Sequence, residues 1–230
     1  MKNLLSKPNF KMVVFDMAGT TVDEENLVYH TIHQCLHAEN IFCPFETVLK
    51  FCAGKEKKDA IRAIVKELLS ESNEIVIGKI YASFQENLKY NYQMADIHPM
   101  PQAEEVFNAL KNKGIKVILN TGYTKEIATY LLKRLEWNVG ETIDGLVTAS
   151  DVTKSRPEPD MIMLAMAQHH ISNSSQVIKI GDSIIDIQEG IQAKCGLAIG
   201  ITTGAHTYDQ LKSASPDYIF RNLEELLTIV

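Results

Sequence analysis

No stretch of this chain approaches the roughly 20 consecutive apolar residues that a membrane-spanning helix needs. Residues 1–10, MKNLLSKPNF, hold no continuous apolar core of the signal-peptide kind. Basic residues are in deficit: 23 Lys and Arg against 29 Asp and Glu give a net charge of −6. There is thus no electrostatic footprint for nucleic acid or an anionic membrane. Cysteine is scarce. Cys35, Cys43 and Cys52 crowd one segment, Cys195 stands apart, and no C-x-x-C pair occurs; a secreted disulfide framework would be denser. Repeats and low-complexity tracts are also missing. The absences point to a soluble, cytoplasmic, thiol-reduced protein that binds neither nucleic acid nor membrane.

What is present suits an enzyme-sized fold. With 230 residues, 45% of them hydrophobic, the chain can build one substantial core and a smaller appended unit. KMVVF, residues 11–15, reads as a buried parallel strand. Residues 24–95 then read as helical, with Ile61, Val65 and Leu68 at the spacing of an amphipathic face. The HPMP run at 98–101 breaks that pattern, because proline cannot sit inside a helix. Strands and helices alternate from there: a helix over 102–114 ending at the C′ glycine Gly114, a strand ending in Thr121, a helix over 126–135, a strand over 144–150, a helix over 159–170, a strand over 175–183 and a helix over 184–196. Final strands are expected within 196–204 and at Tyr218–Phe220. Such alternation implies a parallel sheet with helices on both faces, interrupted by an all-helical insertion after the first strand. The predicted organisation is an α/β core of residues 1–23 and 97–230, with 24–96 as a helical second domain.

Open parallel sheets bind ligands beyond the carboxyl ends of their strands. Four strand ends carry suitable polar residues: FDMAGTTVD (15–23), NTGYT (120–124), SDVTKSRPEPD (150–160) and GDSIID (181–186). Asp16 would present its carboxylate from the end of a buried strand, while Asp182 and Asp186 lie one helical turn apart. Three carboxylates suit Mg²⁺, which prefers octahedral oxygen ligands and shares itself with phosphate. Thr121 and the backbone near Gly122 can hydrogen-bond phosphoryl oxygens, and Arg156 or Lys154 supplies positive charge. A carboxylate attacking phosphorus would form an aspartyl-phosphate that water then removes. Taken singly these residues read as caps and turns; their coincidence at four strand ends in order carries the functional reading.

Together the four segments resemble the motifs of the haloacid dehalogenase superfamily. D-x-A-G-T-T-V-D, NTGYT, Arg156-Pro157 and GDSIID resemble in particular its phosphonoacetaldehyde hydrolase (phosphonatase) branch. The resemblance implies a doubly wound, Rossmann-like α/β core with a helical cap, acting on a small phosphonate or phosphate. It implies Asp16 as nucleophile and metal ligand, Asp182 and Asp186 as further ligands with the Ala18 carbonyl, Thr121 as phosphate ligand and Arg156 as the positive group. Ala18, Gly19, Thr20, Gly122 and Tyr123 would line the substrate. A homodimer paired through the cap stretch between Asp23 and His33 is implied as well.

Most phosphatases of the superfamily resemble D-x-D, with the second aspartate as general acid and base, a function typically worth about 10²–10⁴-fold. Ala18 cannot serve. One explanation is P–C cleavage, in which a cap lysine first forms an imine with an aldehyde. The phosphonatase pattern G-x-x-K falls on Gly54–Lys57, making Lys57 the expected amine, and repulsion within Lys55, Lys57 and Lys58 would favour its neutral form. The bland alternative for these lysines is a solvated loop. Departures from the branch are Ala60, Asn26 and Ala53, where it carries histidine, cysteine and methionine. A second explanation is a phosphatase of a small phosphorylated metabolite, with Glu24, Glu25 or Tyr123 as proton donor. A third is a non-catalytic binder of a phosphorylated ligand, which would not need the intact Asp16, Asp182 and Arg156. His98, His169, His170 and His206 lack zinc-ligand spacing with acidic partners. Trp137 and the methionines of 160–168 read as packing, and Cys195 as buried and inert.

Overall fold

A computed structural model describes residues 9–53, 55–70 and 73–230. Gly54 of the G-x-x-K pattern and residues 1–8, which bear on the N-terminal expectation, lie outside the described residues. In chain order the elements are β1 (Met12–Phe15), β2 (Val22–Asp23), α1 (Leu27–Ala38), α2 (Phe45–Cys52), α3 (Lys57–Leu69), α4 (Glu74–Met94), β3 (His98–Pro99), α5 (Ala103–Asn112), β4 (Lys116–Thr121), α6 (Lys125–Arg134), β5 (Gly145–Thr148), α7 (Asp160–Gln168), β6 (Val177–Gly181), α8 (Ile184–Gln192), β7 (Leu197–Ile201), α9 (Tyr208–Ser213) and β8 (Tyr218–Phe220).

Six strands form one parallel sheet in the order β5-β4-β1-β6-β7-β8. Counted along the chain this is a 3-2-1-4-5-6 arrangement, the doubly wound topology, with its switch point between β1 and β6. The alternation of β1 shows why the sheet is covered twice. Val13 and Phe15 pack with Phe107 and Leu110 of α5, while Met12 and Val14 pack with Met161, Ile162 and Ala165 of α7 on the opposite face. Each such large side chain contributes roughly 1.5–3 kcal/mol on burial. Phe107 also meets Phe15 and Trp137 edge-on at 5.5 and 5.2 Å, and the Trp137 indole N–H donates to Glu104 Oε1 at 2.7 Å. Gly114 is the residue after the α5 cap with φ +72°, as a C′ glycine requires.

The four helices α1–α4 lie between β2 and β3, two-residue strands that the sequence reading did not anticipate. These pair antiparallel, Val22 with Pro99 and Asp23 with His98. Helix α3 differs from the expected face: Ala60, Ile61, Ile64 and Val65 are buried, but Leu68 is exposed near the helix end. The apolar residues of α1–α4 join the same cluster as one face of the sheet. Among the described residues no helix is long and apolar enough to cross a membrane.

Candidate active site

The switch point brings the carboxylates together. Asp16 directly follows β1 and Asp182 directly follows β6, the two strands that part at the crevice. Beyond Asp16 the chain turns at once. The N–H groups of Thr20, Thr21 and Val22 all donate to the Met17 carbonyl, and the Thr21 hydroxyl donates to the Asp16 carbonyl at 2.9 Å. Asp186 sits in the first turn of α8, whose N-cap Ser183 accepts from the Asp186 N–H and donates its hydroxyl to Asp186 Oδ2. One oxygen from each of Asp16, Asp182 and Asp186 lies within 4.8 Å of the others, and all three residues are buried.

A second layer of charge holds this cluster. Arg156 is buried and uses every arm of its guanidinium: Nη1 meets Asp16 Oδ1 at 2.7 Å and Asp186 Oδ1 at 2.9 Å, Nε meets Glu189 Oε2 at 3.1 Å, and Nη2 donates to the Asn120 carbonyl and Oδ1 at 2.7 and 2.8 Å. Lys179, wholly buried in β6, reaches Asn120 Oδ1 at 2.6 Å, Asp186 Oδ1 at 3.0 Å and Glu189 Oε2 at 3.3 Å. Asn120 closes the circuit by donating to both oxygens of Glu189. Lys154, the other cation considered for the site, is exposed.

The charges of this layer test the expected Mg²⁺. Four buried acids (Asp16, Asp182, Asp186, Glu189) face two buried bases (Arg156, Lys179), so two negative charges are left over, the complement of one divalent cation. The excess is concentrated at Asp182. Its Oδ2 accepts the Ala205 N–H at 2.6 Å, and it has no cationic side chain in ion-pair contact among the described residues. Burial first, then repulsion from Asp16 and Asp186, pushes the Asp182 carboxyl well above the usual carboxylate range. Burial likewise raises Asp16 against the pull of Arg156, whereas the pull of Arg156 and Lys179 outweighs burial and holds Asp186 down. The residues therefore fit a hard dication, and the backbone is cut to bring Asp182 in. A Cβ on Gly204 would overlap the Asp182 carboxylate, and one on Gly19, at φ +76°, would stand 2.6 Å from its Oδ2.

Asp16, Ala18, Lys57, Thr121, Gly122, Tyr123 and Arg156 line one cavity, together with Tyr29. The sequence reading had singled out all of these except Tyr29. Gly19 and Thr20 do not reach it. Their N–H groups are spent on Val22 and Met17 carbonyls at 2.9 and 3.1 Å, Gly19 backs Asp182, and the buried Thr20 hydroxyl has no protein partner. The cavity offers only about 10 Å³ to a water-sized body, room for about one water, with Tyr29 of α1 and Lys57 of α3 in its wall beside Asp16.

Lys57 corrects the solvated-loop alternative: it is buried, not hydrated. Its Nζ donates to the carbonyls of Lys55 at 2.9 Å and Cys52 at 3.2 Å, and lies 5.3 and 5.5 Å from the ring centres of Tyr29 and Tyr123. Its pKa is lowered, as anticipated, but burial is the cause rather than its lysine neighbours. Lys58 is exposed. Glu24 is buried as well, whereas Glu25 is exposed. The Tyr123 hydroxyl donates to Glu24 Oε1 at 3.1 Å and the Tyr92 hydroxyl to Oε2. Sequence reasoning missed Tyr92, Tyr29, Asn120, Lys179 and Glu189. A lysine inside the apolar strand VIKIG was a usable signal; the tyrosines carried none. Of the residues set aside, His206 accepts the Ile184 N–H on Nδ1 at 3.0 Å, and Cys195 is half-buried rather than buried, its thiol pushed up to about 12 by burial.

Known proteins share this framework. A phosphonoacetaldehyde hydrolase of Parabacteroides distasonis is 28% identical over 228 residues, covering 93% of this chain and 83% of that protein. One of Bacillus cereus is 27% identical over 226 residues, covering 92% and 84%. A crystal structure of a phosphonoacetaldehyde hydrolase-like protein from Oleispira antarctica superposes with a TM-score of 0.83 at 22% identity, covering all of this chain and 94% of the other. Residues 13–199 match the haloacid dehalogenase-like hydrolases; carrying its acidic triad at the switch point of their doubly wound sheet, the chain belongs to that family of hydrolases.

Proposed function

We propose that the protein is a Mg²⁺-dependent hydrolase of the phosphonatase type, which cleaves the P–C bond of phosphonoacetaldehyde. The observation that carries this is Lys57: a buried amine lining the same cavity as Asp16. Names of the relatives lend support. In this reading residues 24–96 form the cap over a core of 1–23 and 97–230, and the cap swings aside to admit substrate. Lys57, its ammonium disfavoured by burial, attacks the aldehyde to form an imine. Asp16, oriented by Arg156, attacks phosphorus, and the P–C electron pair passes into the protonated imine to give an enamine, which takes a proton on carbon and is hydrolysed to acetaldehyde and free Lys57. Thr121 and the Gly122 backbone hold phosphoryl oxygens, and Arg156 meets the charge that builds there. Water then releases phosphate from Asp16.

Asp16, Asp182, Asp186 and the Ala18 carbonyl would hold Mg²⁺, which when bound neutralises the excess negative charge and the phosphoryl oxygens. Gly204→Ala is expected to weaken Mg²⁺ binding by about 10–100-fold, since it displaces the support of a ligand. Titrating the thermal midpoint with Mg²⁺ checks this without any substrate.

The substrate is tested by comparing phosphonoacetaldehyde with alkyl phosphate monoesters, with and without EDTA. Borohydride added with phosphonoacetaldehyde is expected to trap an adduct on Lys57 and none on Lys57→Arg, read by peptide mass. Turnover of alkyl phosphates without an adduct would replace this reading by that of a small-metabolite phosphatase, for which Glu24 beside Tyr123 offers a proton source.

A further inference from the structure

The cavity leaves one need unmet. When the bond to phosphorus breaks, the departing atom has to acquire a proton, and Ala18 stands where a carboxylic acid would give it. Outside the acidic triad, Glu24 is a buried acid hydrogen-bonded to the cavity wall. It lies just past β2, buried, and no ion pair to it exists among the described residues. Each of its two oxygens lies at hydrogen-bond distance from a hydroxyl, Tyr123 at Oε1 and Tyr92 at Oε2; with the acid proton on Oε1, Glu24 donates to the Tyr123 oxygen and leaves the phenolic hydrogen free. Tyr123 is also a wall of the cavity, so one hydroxyl group joins Glu24 to the ring that faces the substrate. A buried carboxyl without a cation is costly to ionise and is kept neutral. A purely structural role would be served as well by an amide.

The groups facing Glu24 come from four elements: Tyr92 of α4, Tyr123 after β4, Val28 N–H and Tyr29 of α1, and Lys57 of α3. Burial raises all three tyrosines well above their ordinary range, so they stay neutral. Burial pushes Glu24 up to about 7, against the hydroxyls and the distant pull of Lys57, so near neutrality it can both give and take a proton.

We propose that Glu24 stores the proton for the departing atom and passes it through the Tyr123 hydroxyl, in place of the acid missing at Ala18. The inference rests on the hydrolytic reading above and adds the source of the proton. As the P–C bond breaks, or a P–O bond in an ester, the electron pair is left on the substrate. The departing atom takes the Tyr123 phenolic proton, the phenolic oxygen takes the Glu24 proton, and Glu24 is left as carboxylate. Water then attacks the aspartyl-phosphate, frees the Asp16 carboxylate, and returns its proton through Tyr123 to Glu24. Glu24 touches Tyr123 rather than the substrate, so it acts as a positioning and proton-storing residue.

Glu24→Gln keeps the shape and an acceptor oxygen but not the exchangeable acid proton. In it, turnover of phosphonoacetaldehyde or an alkyl phosphate is expected to fall about 10²-fold or more. Release of nitrophenolate in the first turnover of p-nitrophenyl phosphate, whose departing phenolate needs no proton, is expected to fall far less, and the difference between the two losses reads the relay. The wild-type rate declines as pH rises through about 7, and that limb is lost in Glu24→Gln. Tyr123→Phe loses the same pH limb, and the double variant is no slower than the slower single one. Equal loss on both kinds of leaving group, or a wild-type rate and pH profile in Glu24→Gln, overturns the relay. Infrared spectra read the same point without turnover: a protonated carboxyl band present near pH 6, fading as pH rises through about 7 and absent from Glu24→Gln. Absence of that band in wild type overturns the proposal. Failure to trap Lys57 or cleave phosphonoacetaldehyde fails the substrate reading alone, since the leaving-group comparison and the infrared band still decide the relay.

Discussion

Asp16→Asn is expected to abolish turnover of every substrate, by on the order of 10⁴-fold or more, since a carboxamide cannot form the acyl-phosphate and residual rates reflect binding alone. The amide retains the volume of the side chain and an oxygen that can accept from Arg156, now 2.7 Å from Oδ1, so the loss isolates nucleophilicity from architecture. Stability moves the other way. Burial and the repulsion of Asp186 favour the uncharged form of Asp16 in the fold, so in chelator the variant is expected to be no less stable than wild type. Adding Mg²⁺ should then raise its thermal midpoint less, because one ligand is weakened. Stopped assays for phosphate release and denaturation scans with and without Mg²⁺ check both halves. Persistent hydrolysis would dismiss Asp16 as nucleophile, and a large fall in the midpoint in chelator would mean that its charge stabilises the fold.

Lys179→Met carries the largest expected structural effect. Its ammonium, wholly buried, serves Asn120, Asp186 and Glu189 at 2.6, 3.0 and 3.3 Å. Methionine fills much of the volume, but the acids keep their charge with only Arg156 to share. Breaking a buried pair in this way typically costs about 3–5 kcal/mol, which for a chain of this size lowers the thermal midpoint by about 10 °C. Adding Glu189→Gln removes the orphaned charge and is expected to recover part of that loss, a coupling of about 0.5–3 kcal/mol between touching residues. Strict additivity of the two changes would mean that the acids find other compensation.

The contrast between these two residues explains what was legible beforehand. Asp16 is defined locally: a valine-rich strand stops at it, and strand ends are where parallel sheets bind ligands. The same logic found Thr121 and Asp182, and periodicity found the six-stranded layer with helices on both faces. Lys179 was missed although it is a charge in an apolar strand, and its partners Asn120 and Glu189 come from other elements that no spacing rule connects. Glu24 and Tyr92 lie 68 positions apart, and only the fold brings the Tyr92 hydroxyl of α4 to the Glu24 carboxyl. Lys57 was reached only through the G-x-x-K pattern. A run rich in lysine, glutamate and aspartate has the composition of a solvated loop, and composition cannot tell which one of its charges turns inward. Gly19 and Thr20 were included because they sit in the nucleophile segment, yet the turn that shapes that segment consumes their N–H groups.

The short ladder of β2 and β3 has a further consequence. Val22 and Asp23 carry the chain out to the helices, and His98 and Pro99 carry it back alongside, with the Met100 N–H donating to the Thr21 carbonyl at 2.9 Å. Exit and return are thus neighbours. In circuit terms the helical insert is a branch attached at one node, while Asp16, Thr121, Arg156, Asp182 and Asp186 all belong to the main loop. A different insert of any length could be spliced at that node without re-registering the sheet. On the proposed reading, chemistry at phosphorus and choice of organic partner would be separable, and a graft at Asp23 and His98 is the natural place to exchange one while keeping the other.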